Sequence, residues 1–167
     1  MLWLRPGWLP ERLFPEGVVS FIEPGRLIFV TPRRPEDLLW CFEEALRGGA
    51  TALVVAELPE PLRFTPVRRL QLAAETGAEE GRVIPTGLML TPGDGGAQGV
   101  ESRWHIAPRH GQDRTRWQLD LVRARSDPPG SWMLAASEDR PGFTLARVRR
   151  AEAGDHAEMT GAAAGEA

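Results

Sequence analysis

The amino-acid sequence predicts an α/β fold, with a partly parallel mixed sheet, helices on its faces and a C-terminal antiparallel meander. Two patterns carry this prediction. In the first half of the chain, short continuous apolar runs alternate with helical periodicity, which is typical of βαβ units with strands buried on both faces. In the second half, apolar and polar residues alternate strictly, which is typical of antiparallel strands with one face in water.

Residues 27–58 form the βαβ unit around which the prediction is built. Residues 27–30 and 52–56 are apolar runs of strand length, separated by one helical segment. Pro35 suits a first helical position, and Gly48 and Gly49 suit the helix end. The apolar positions recur at helical spacing: Leu38, Leu39, Phe42, Ala45 and Leu46. A strand, a crossover helix and a second strand predict parallel pairing.

The elements around this unit follow from similar signals. Residues 2–4 predict a strand, and the proline-broken segment after them predicts a loop with at most one helical turn. A second helix is predicted with Thr65 as N-cap, Pro66 as the first helical residue and Gly77 at C′. Residues 83–84 or, more favourably, 88–90 supply a fourth strand. Residues 91–100 predict a glycine-rich surface loop.

The antiparallel meander is predicted from residues 102–134. Alternation directs Trp104 and Ile106 to the core and Arg103 and His105 to solvent. The periodicity is lost after residue 137. We therefore expect a domain over residues 1–137 and a disordered, Ala/Gly/Glu-rich tail over residues 138–167.

Composition excludes several function classes. A net charge of −3 gives no overall attraction to nucleic acid or anionic membrane. All twenty basic residues are arginine, so no lysine is present to act as a Walker A lysine, a Schiff base or a general base. No apolar run is long enough to span a bilayer, and the N-terminus does not resemble a signal peptide. These features favour a cytoplasmic protein without a membrane partner.

The candidate catalytic and binding residues are isolated ones. Neither GxxxxGK[ST] nor GxGxxG occurs, and the glycine-rich segment PGDGGAQG is not followed by a helix. Glu57, at the end of a strand, is favoured as a solvated residue over a metal ligand. Cys41, inside the first long helix, is favoured as a packed thiol over a nucleophile. His105, His110 and Asp113 lack partners for a zinc site, so we predict no catalytic, cofactor or metal residues.

Arginine clusters mark the surfaces that we expect to bind a partner. Because alternation places arginines and tryptophans on opposite faces, a solvated or partner-binding surface is favoured over a nucleic-acid surface. The candidate partner-binding residues are Arg116, Arg123, Arg125, Arg147, Arg149 and Arg150.

Several segments resemble the ImuA family of RecA-like accessory proteins of bacterial damage-induced mutagenesis. They are LWLRPGW, EPGRLIFVTPRRPEDLLWCFEEALRGGATALVVAEL, RRLQLAAETG, SRWHIAP and RWQLDLVRARSDPPGSWML, which together cover residues 2–134. The resemblance implies a RecA-like core and a role in SOS-induced translesion DNA synthesis. It implies as partners the Y-family polymerase homologue ImuB, an error-prone replicative-type polymerase and RecA, with DNA contacted indirectly.

The chain departs from the RecA pattern in two places. It begins near the second strand of that pattern, so we expect the N-terminal phosphate-loop region to be absent. Ala56 stands where RecA-like ATPases place an aspartate. Both departures favour a non-catalytic accessory protein that needs no cofactor.

Two alternatives stay open on the sequence. One is a cell-division inhibitor of the SulA type, which also resembles a trimmed RecA core. The other is a misannotated fragment of a RecA-like ATPase that binds single-stranded DNA.

Overall fold

A computed structural model shows two four-stranded sheets and three α-helices, and it describes residues 1–19, 21–93, 96–112, 115–137 and 142–148. Their order along the chain is β1 (Leu2–Leu4), α1 (Pro15–Val19), β2 (Ile28–Val30), α2 (Pro35–Arg47), β3 (Leu53–Glu57), α3 (Phe64–Glu80), β4 (Thr86–Leu90), β5 (Ser102–Pro108), β6 (Arg116–Ala124), β7 (Gly130–Ala136) and β8 (Phe143–Arg147). A single 3-10 turn, Pro24–Arg26, precedes β2. The predicted α/β class is confirmed.

The first sheet is entirely parallel and has the strand order β2-β1-β3-β4. The earliest strand therefore lies inside the sheet: Leu4 is paired with Val30 on one side and with Ala56 on the other. The chain reverses its direction of winding at this strand, as in doubly wound α/β sheets. The prediction of a strand buried on both faces is confirmed for β3, which pairs on both sides and buries Val54, Val55 and Ala56. It was wrong for residues 27–30, because β2 is the edge strand of the sheet and Ile28 and Phe29 are 60% and 49% exposed.

Helices α2 and α3 cover one face of the parallel sheet. Their apolar side chains meet those of β1 and β3 in a single cluster in which Phe42 is only 1% exposed. The cluster's buried members are Leu4, Leu38, Phe42, Leu46, Val54, Ala56, Leu58, Leu70 and Ala73. Helix α2 begins at Pro35, with Glu36 and Asp37 in its first turn, as predicted.

The two helices touch backbone to backbone at three glycines. A Cβ added to Gly77 would lie 2.0 Å from the carbonyl oxygen of Leu46, and one added to Gly49 would lie 2.2 Å from the carbonyl oxygen of Gly77. Gly49 also has a φ of +50°, which favours glycine. A Cβ on Gly81 would likewise approach the Gly49 backbone. Only glycine allows the helix ends to come this close.

The prediction that Gly77 ends the second helix was therefore wrong. Helix α3 continues to Glu80, and Gly77 is buried inside it against α2. Its start also differs slightly, because the helix begins at Phe64 with Arg63 as N-cap and no side-chain capping bond. Thr65 and Pro66 thus lie in the first turn rather than at its boundary.

Strands β5 to β8 form a consecutive antiparallel meander with the order β5-β6-β7-β8. The predicted meander is confirmed, and it is a separate sheet: within the described residues, no strand ladder joins β4 to β5. The segment between β4 and β5 is instead held by side-chain hydrogen bonds. Gln71 of α3 donates to the carbonyl of Gly99 (2.7 Å), and Arg103 of β5 donates to the carbonyl of Ala97 (2.7 Å).

The fourth strand of the meander, β8, extends past the predicted boundary at residue 137. It is only five residues long, so its two large apolar positions, Phe143 and Leu145, are too few to establish a period in the sequence. It pairs with β7, with Leu145 opposite Leu134. The rest of the predicted tail, residues 138–141 and 149–167, lies outside the described residues.

Candidate functional site

The carboxyl end of β3 is where RecA-like enzymes would place an acid. Ala56 is fully buried there in the helix-covered core, so it offers no chemistry. The next residue, Glu57, projects to the opposite face, and its Oε1 accepts a hydrogen bond of 2.6 Å from the indole Nε1 of Trp3. The indole orients this carboxylate, but Glu57 alone supplies only one side chain that could bind a metal ion. No group of three or more metal-ligating side chains occurs in the described part of the chain.

Cys41 lies on α2 beside the hydrophobic core. Burial raises the pKa of its thiol, and the nearby charge of Asp37 raises that pKa further. Since the thiolate is the nucleophilic form, both effects make this cysteine less reactive. The geometry supports the interpretation of Cys41 as a packing residue.

A polar row crosses the antiparallel sheet at His105, Asp120 and Ser131, which are direct cross-strand neighbours. The hydroxyl of Ser131 donates to Asp120 (2.5 Å), and Gln118 donates to both oxygens of the same carboxylate (3.1 and 3.0 Å). His105 Nδ1 lies 3.9 Å from Asp120 Oδ2. A hydrolytic triad places histidine between serine and the acid, whereas here the acid lies in the middle.

Sequence reasoning grouped His105 with His110 and Asp113, and the structure separates the two histidines. The Nδ1 of His110 accepts the backbone N–H of Arg116 (3.2 Å), and its ring meets Trp117 edge-on at 5.3 Å. Asp113 lies outside the described residues. His105 and Asp120 are neighbours because of the register between β5 and β6. No local sequence motif indicates that register.

A shallow open cleft of about 520 Å³ lies at the carboxyl ends of β1 and β2, lined by Gly7, Trp8, Thr31 and Arg33. Nearby, the buried Arg5 donates to the carbonyls of Leu9 and Glu11 and so holds the loop after β1. The cleft walls combine one aromatic ring and one guanidinium. Within the described chain they bring no acid, base or nucleophile together.

The predicted partner-binding arginines are dispersed over the antiparallel sheet. Arg116 and Arg123 lie at opposite ends of β6, and Arg123 is opposite Arg103 of β5. Arg125 pairs with Glu101 at 3.4 Å. Arg147 lies on β8 opposite Trp132. The remaining two, Arg149 and Arg150, lie outside the described residues.

The expectation that Trp104 and Ile106 point to the core was wrong. Trp104 is 47% exposed and Ile106 is 59% exposed, whereas Arg103 and His105 are less exposed. On β5 the alternation was right in period and wrong in direction, whereas Leu121 of β6, in register with Trp104, is only 5% exposed. The polar side of β5 is the inner one because the side chain of Arg103 packs against the loop at Gly96 and Ala97.

Cross-strand pairing places the large apolar residues of the meander on one common face, which we call the aromatic face. Ile106, Leu119, Trp132 and Arg147 form one cross-strand row, and Pro108, Trp117, Leu134 and Leu145 form the next. The residues that characterise the aromatic face are Trp104, Ile106, Trp117, Trp132, Phe143 and Leu145. Among the helices that the structure describes, none has the length and hydropathy of a membrane span.

No protein-family model matches the chain. Two proteins of Caulobacter vibrioides, each called Protein ImuA and taken from strains NA1000 and ATCC 19089, are 35% identical to it over 153 residues. The match covers 78% of this chain and 60% of either relative, so the chain spans about 60% of the length of the curated relatives it matches. This likeness supports membership of the ImuA family for the matched part of the chain.

Proposed function

We propose that this chain is a non-catalytic accessory protein of the DNA damage response that acts through protein–protein contacts in an ImuA/ImuB mutasome. The observation that carries the proposal is the 35% identity to Protein ImuA. The process that we assign is SOS-induced translesion synthesis, in the cytoplasm. The partners that we assign are an ImuB-like Y-family polymerase homologue, an error-prone replicative-type polymerase and RecA, with DNA contacted indirectly.

The geometry of the candidate sites supports the non-catalytic part of this proposal. Ala56 replaces an acid at the end of β3, and Glu57 is engaged by Trp3. The pKa of the Cys41 thiol is raised, and the carboxylate of Asp120 binds Ser131 directly without a histidine between them. None of these sites has the nucleophile–histidine–acid order of a hydrolytic triad.

The exposed arginines support a role in binding. Arg116, Arg123 and Arg147 form no ion pair with any described residue, so their guanidinium groups are available for carboxylates of a partner. We include Arg149 and Arg150 in this proposed binding set on sequence grounds. Exposed charged residues contribute more to the choice of partner and to the association rate than to the stability of the free protein.

The decisive experiment is affinity purification of this chain with ImuB and with RecA from the same genome. We expect retention of ImuB, and a strain lacking the gene should show a lower frequency of damage-induced mutations. Binding to neither protein, together with unchanged mutagenesis, would refute the assignment. Measurable ATP turnover by the purified chain would contradict its non-catalytic part.

A strain that overproduces the chain tests the SulA-type alternative. Overproduction of a division inhibitor causes filamentous cells without changing mutation frequency. Our proposal expects cells of ordinary length and altered mutagenesis.

A further inference from the structure

The aromatic face is an open, ordered surface rather than a set of scattered apolar residues. The rings of Trp104 and Trp132 lie 5.7 Å apart, and Trp117 meets Phe143 edge-on at 5.5 Å. At Gly130, an added Cβ would come within 2.6 Å of the Trp132 ring, so the glycine leaves the space that this indole occupies. Rings held by their neighbours lose little freedom on binding, which favours them as anchors of an interface.

One side chain from outside the sheet shows that this face accepts an added aromatic ring. Phe21, from the connection between β1 and β2, stacks on Phe143 with ring centroids 4.9 Å apart and planes inclined by 5°. The stack covers only the corner at Phe143. Trp104 and Ile106, at the opposite edge, stay 47% and 59% exposed.

The charge around the aromatic face specifies the chemistry of its partner. Residues 102–148 contain eight arginines and five carboxylates, whereas the whole chain has a net charge of −3. Arg147 lies directly opposite Trp132 and therefore on the same side of the sheet. Arg147 is the one charged side chain that the described strands of the meander place on this side, and no carboxylate accompanies it there. An apolar stripe flanked by carboxylates complements such a face.

The dimensions of the face suit one helix. Four strands about 4.8 Å apart, with about seven residues each at about 3.4 Å, make a face of roughly 15 by 24 Å. A helix of about 16 residues is about 24 Å long and about 10 Å wide with its side chains. A second copy of this chain packed through the same face would bury Arg147 of both copies without a carboxylate on either face to pair with it, and is therefore disfavoured.

Single-stranded nucleic acid fits this face less well. Such binding combines stacked bases with a basic groove that follows the phosphates. Among the arginines on the described strands of the meander, only Arg147 shares the side of the tryptophans, because Arg116 and Arg123 are in register with Ala135 and Arg103 on the other side. We therefore propose that the aromatic face binds an acidic amphipathic helix of a partner protein. The proposal gives a surface to the contacts proposed above, and its test uses no mutasome protein, so the two can fail separately.

The test measures binding of the full chain to three fluorescent probes. One is a designed 16-residue helix with leucines at helical spacing on one side and glutamates on the other; the second has lysines in place of the glutamates; the third is a thymidine oligonucleotide. We expect the acidic helix to bind at least about ten-fold more tightly than the basic one. Equal affinity for both helices, or preference for the oligonucleotide, would overturn the proposal.

Three variants locate the binding on the molecule. Trp104→Gln should weaken binding of the acidic helix about ten-fold or more, because it removes an exposed aromatic anchor. Arg147→Glu should reduce the preference for the acidic helix over the basic one. Trp40→Gln changes an exposed tryptophan on α2, away from the aromatic face, and should leave the affinity within about two-fold. Since Arg147→Glu alters only an exposed side chain, it tests the proposed site even if Trp104→Gln folds poorly; an unchanged preference would contradict that site.

Discussion

The two sheets of this molecule use their apolar residues in opposite ways. In the parallel sheet, α2 and α3 cover one face and bury Phe42 almost completely. In the antiparallel sheet, large aromatic residues such as Trp104 and Phe143 line a face that no described helix covers. Large hydrophobic residues therefore stabilise the core in the parallel sheet and form an exposed surface in the antiparallel sheet.

The largest expected effect comes from a matched pair of phenylalanines, one in each sheet region. Phe42→Ala should cost about 3–5 kcal/mol of unfolding free energy, because it leaves a cavity in the buried cluster. Phe143→Ala removes ring contacts with Phe21 and Trp117 on an exposed strand and should cost about 1 kcal/mol. Urea unfolding followed by circular dichroism measures both. Similar losses for the two variants would contradict the division of roles between the sheets.

A smaller effect is expected at the glycine crossing of α2 and α3. Gly77→Ala should destabilise the chain by about 1–3 kcal/mol, because its Cβ would overlap the carbonyl oxygen of Leu46 and force the helices apart. The control is Gly25→Ala, where an added Cβ meets nothing within 4 Å and the change should stay within about 0.5 kcal/mol. Thermal unfolding of both variants measures the difference. A neutral Gly77→Ala would show that the helices are not in backbone contact.

The smallest effect concerns the single cysteine on the covered side. Because burial raises the pKa of the Cys41 thiol, the folded chain keeps this proton at a pH where the unfolded chain has lost it. Stability from this group is therefore fully present below the unfolded pKa and is lost as pH rises through the higher folded pKa. Iodoacetamide alkylation should show a higher pH midpoint in the folded chain than in the chain unfolded in urea. A lower midpoint in the folded chain would identify an activated thiol instead.

The helix-covered region was predictable because its signals are local. Pro35, with the acids after it, marks the start of α2, and the apolar runs on either side mark β2 and β3. Gly77 misled the prediction because a glycine after an apolar stripe is typical of a helix end and equally of a close helix crossing. Nothing in the sequence near Gly77 indicates that Leu46 lies against it.

The open region was predictable in its period and not in its orientation. Alternation along β5 places Trp104 and Ile106 on one side and Arg103 and His105 on the other. It does not indicate which of these sides packs against another part of the chain. That depends on the loop at Ala97, which binds Arg103. The contacts of Trp3 with Glu57 and of His105 with Asp120 also join residues from different strands, so they depend on register rather than on any motif.

The place of β1 inside the parallel sheet has a consequence for the order of folding. Strand β1 precedes both of its partners along the chain and pairs with β2 on one side and with β3 on the other, so it gains its second neighbour only after residue 57 has emerged. The meander, in contrast, joins each strand to the next one along the chain. Because non-local pairing is slow while hairpins close quickly, we expect the C-terminal half to acquire structure rapidly and the insertion of β1 to limit the overall folding rate.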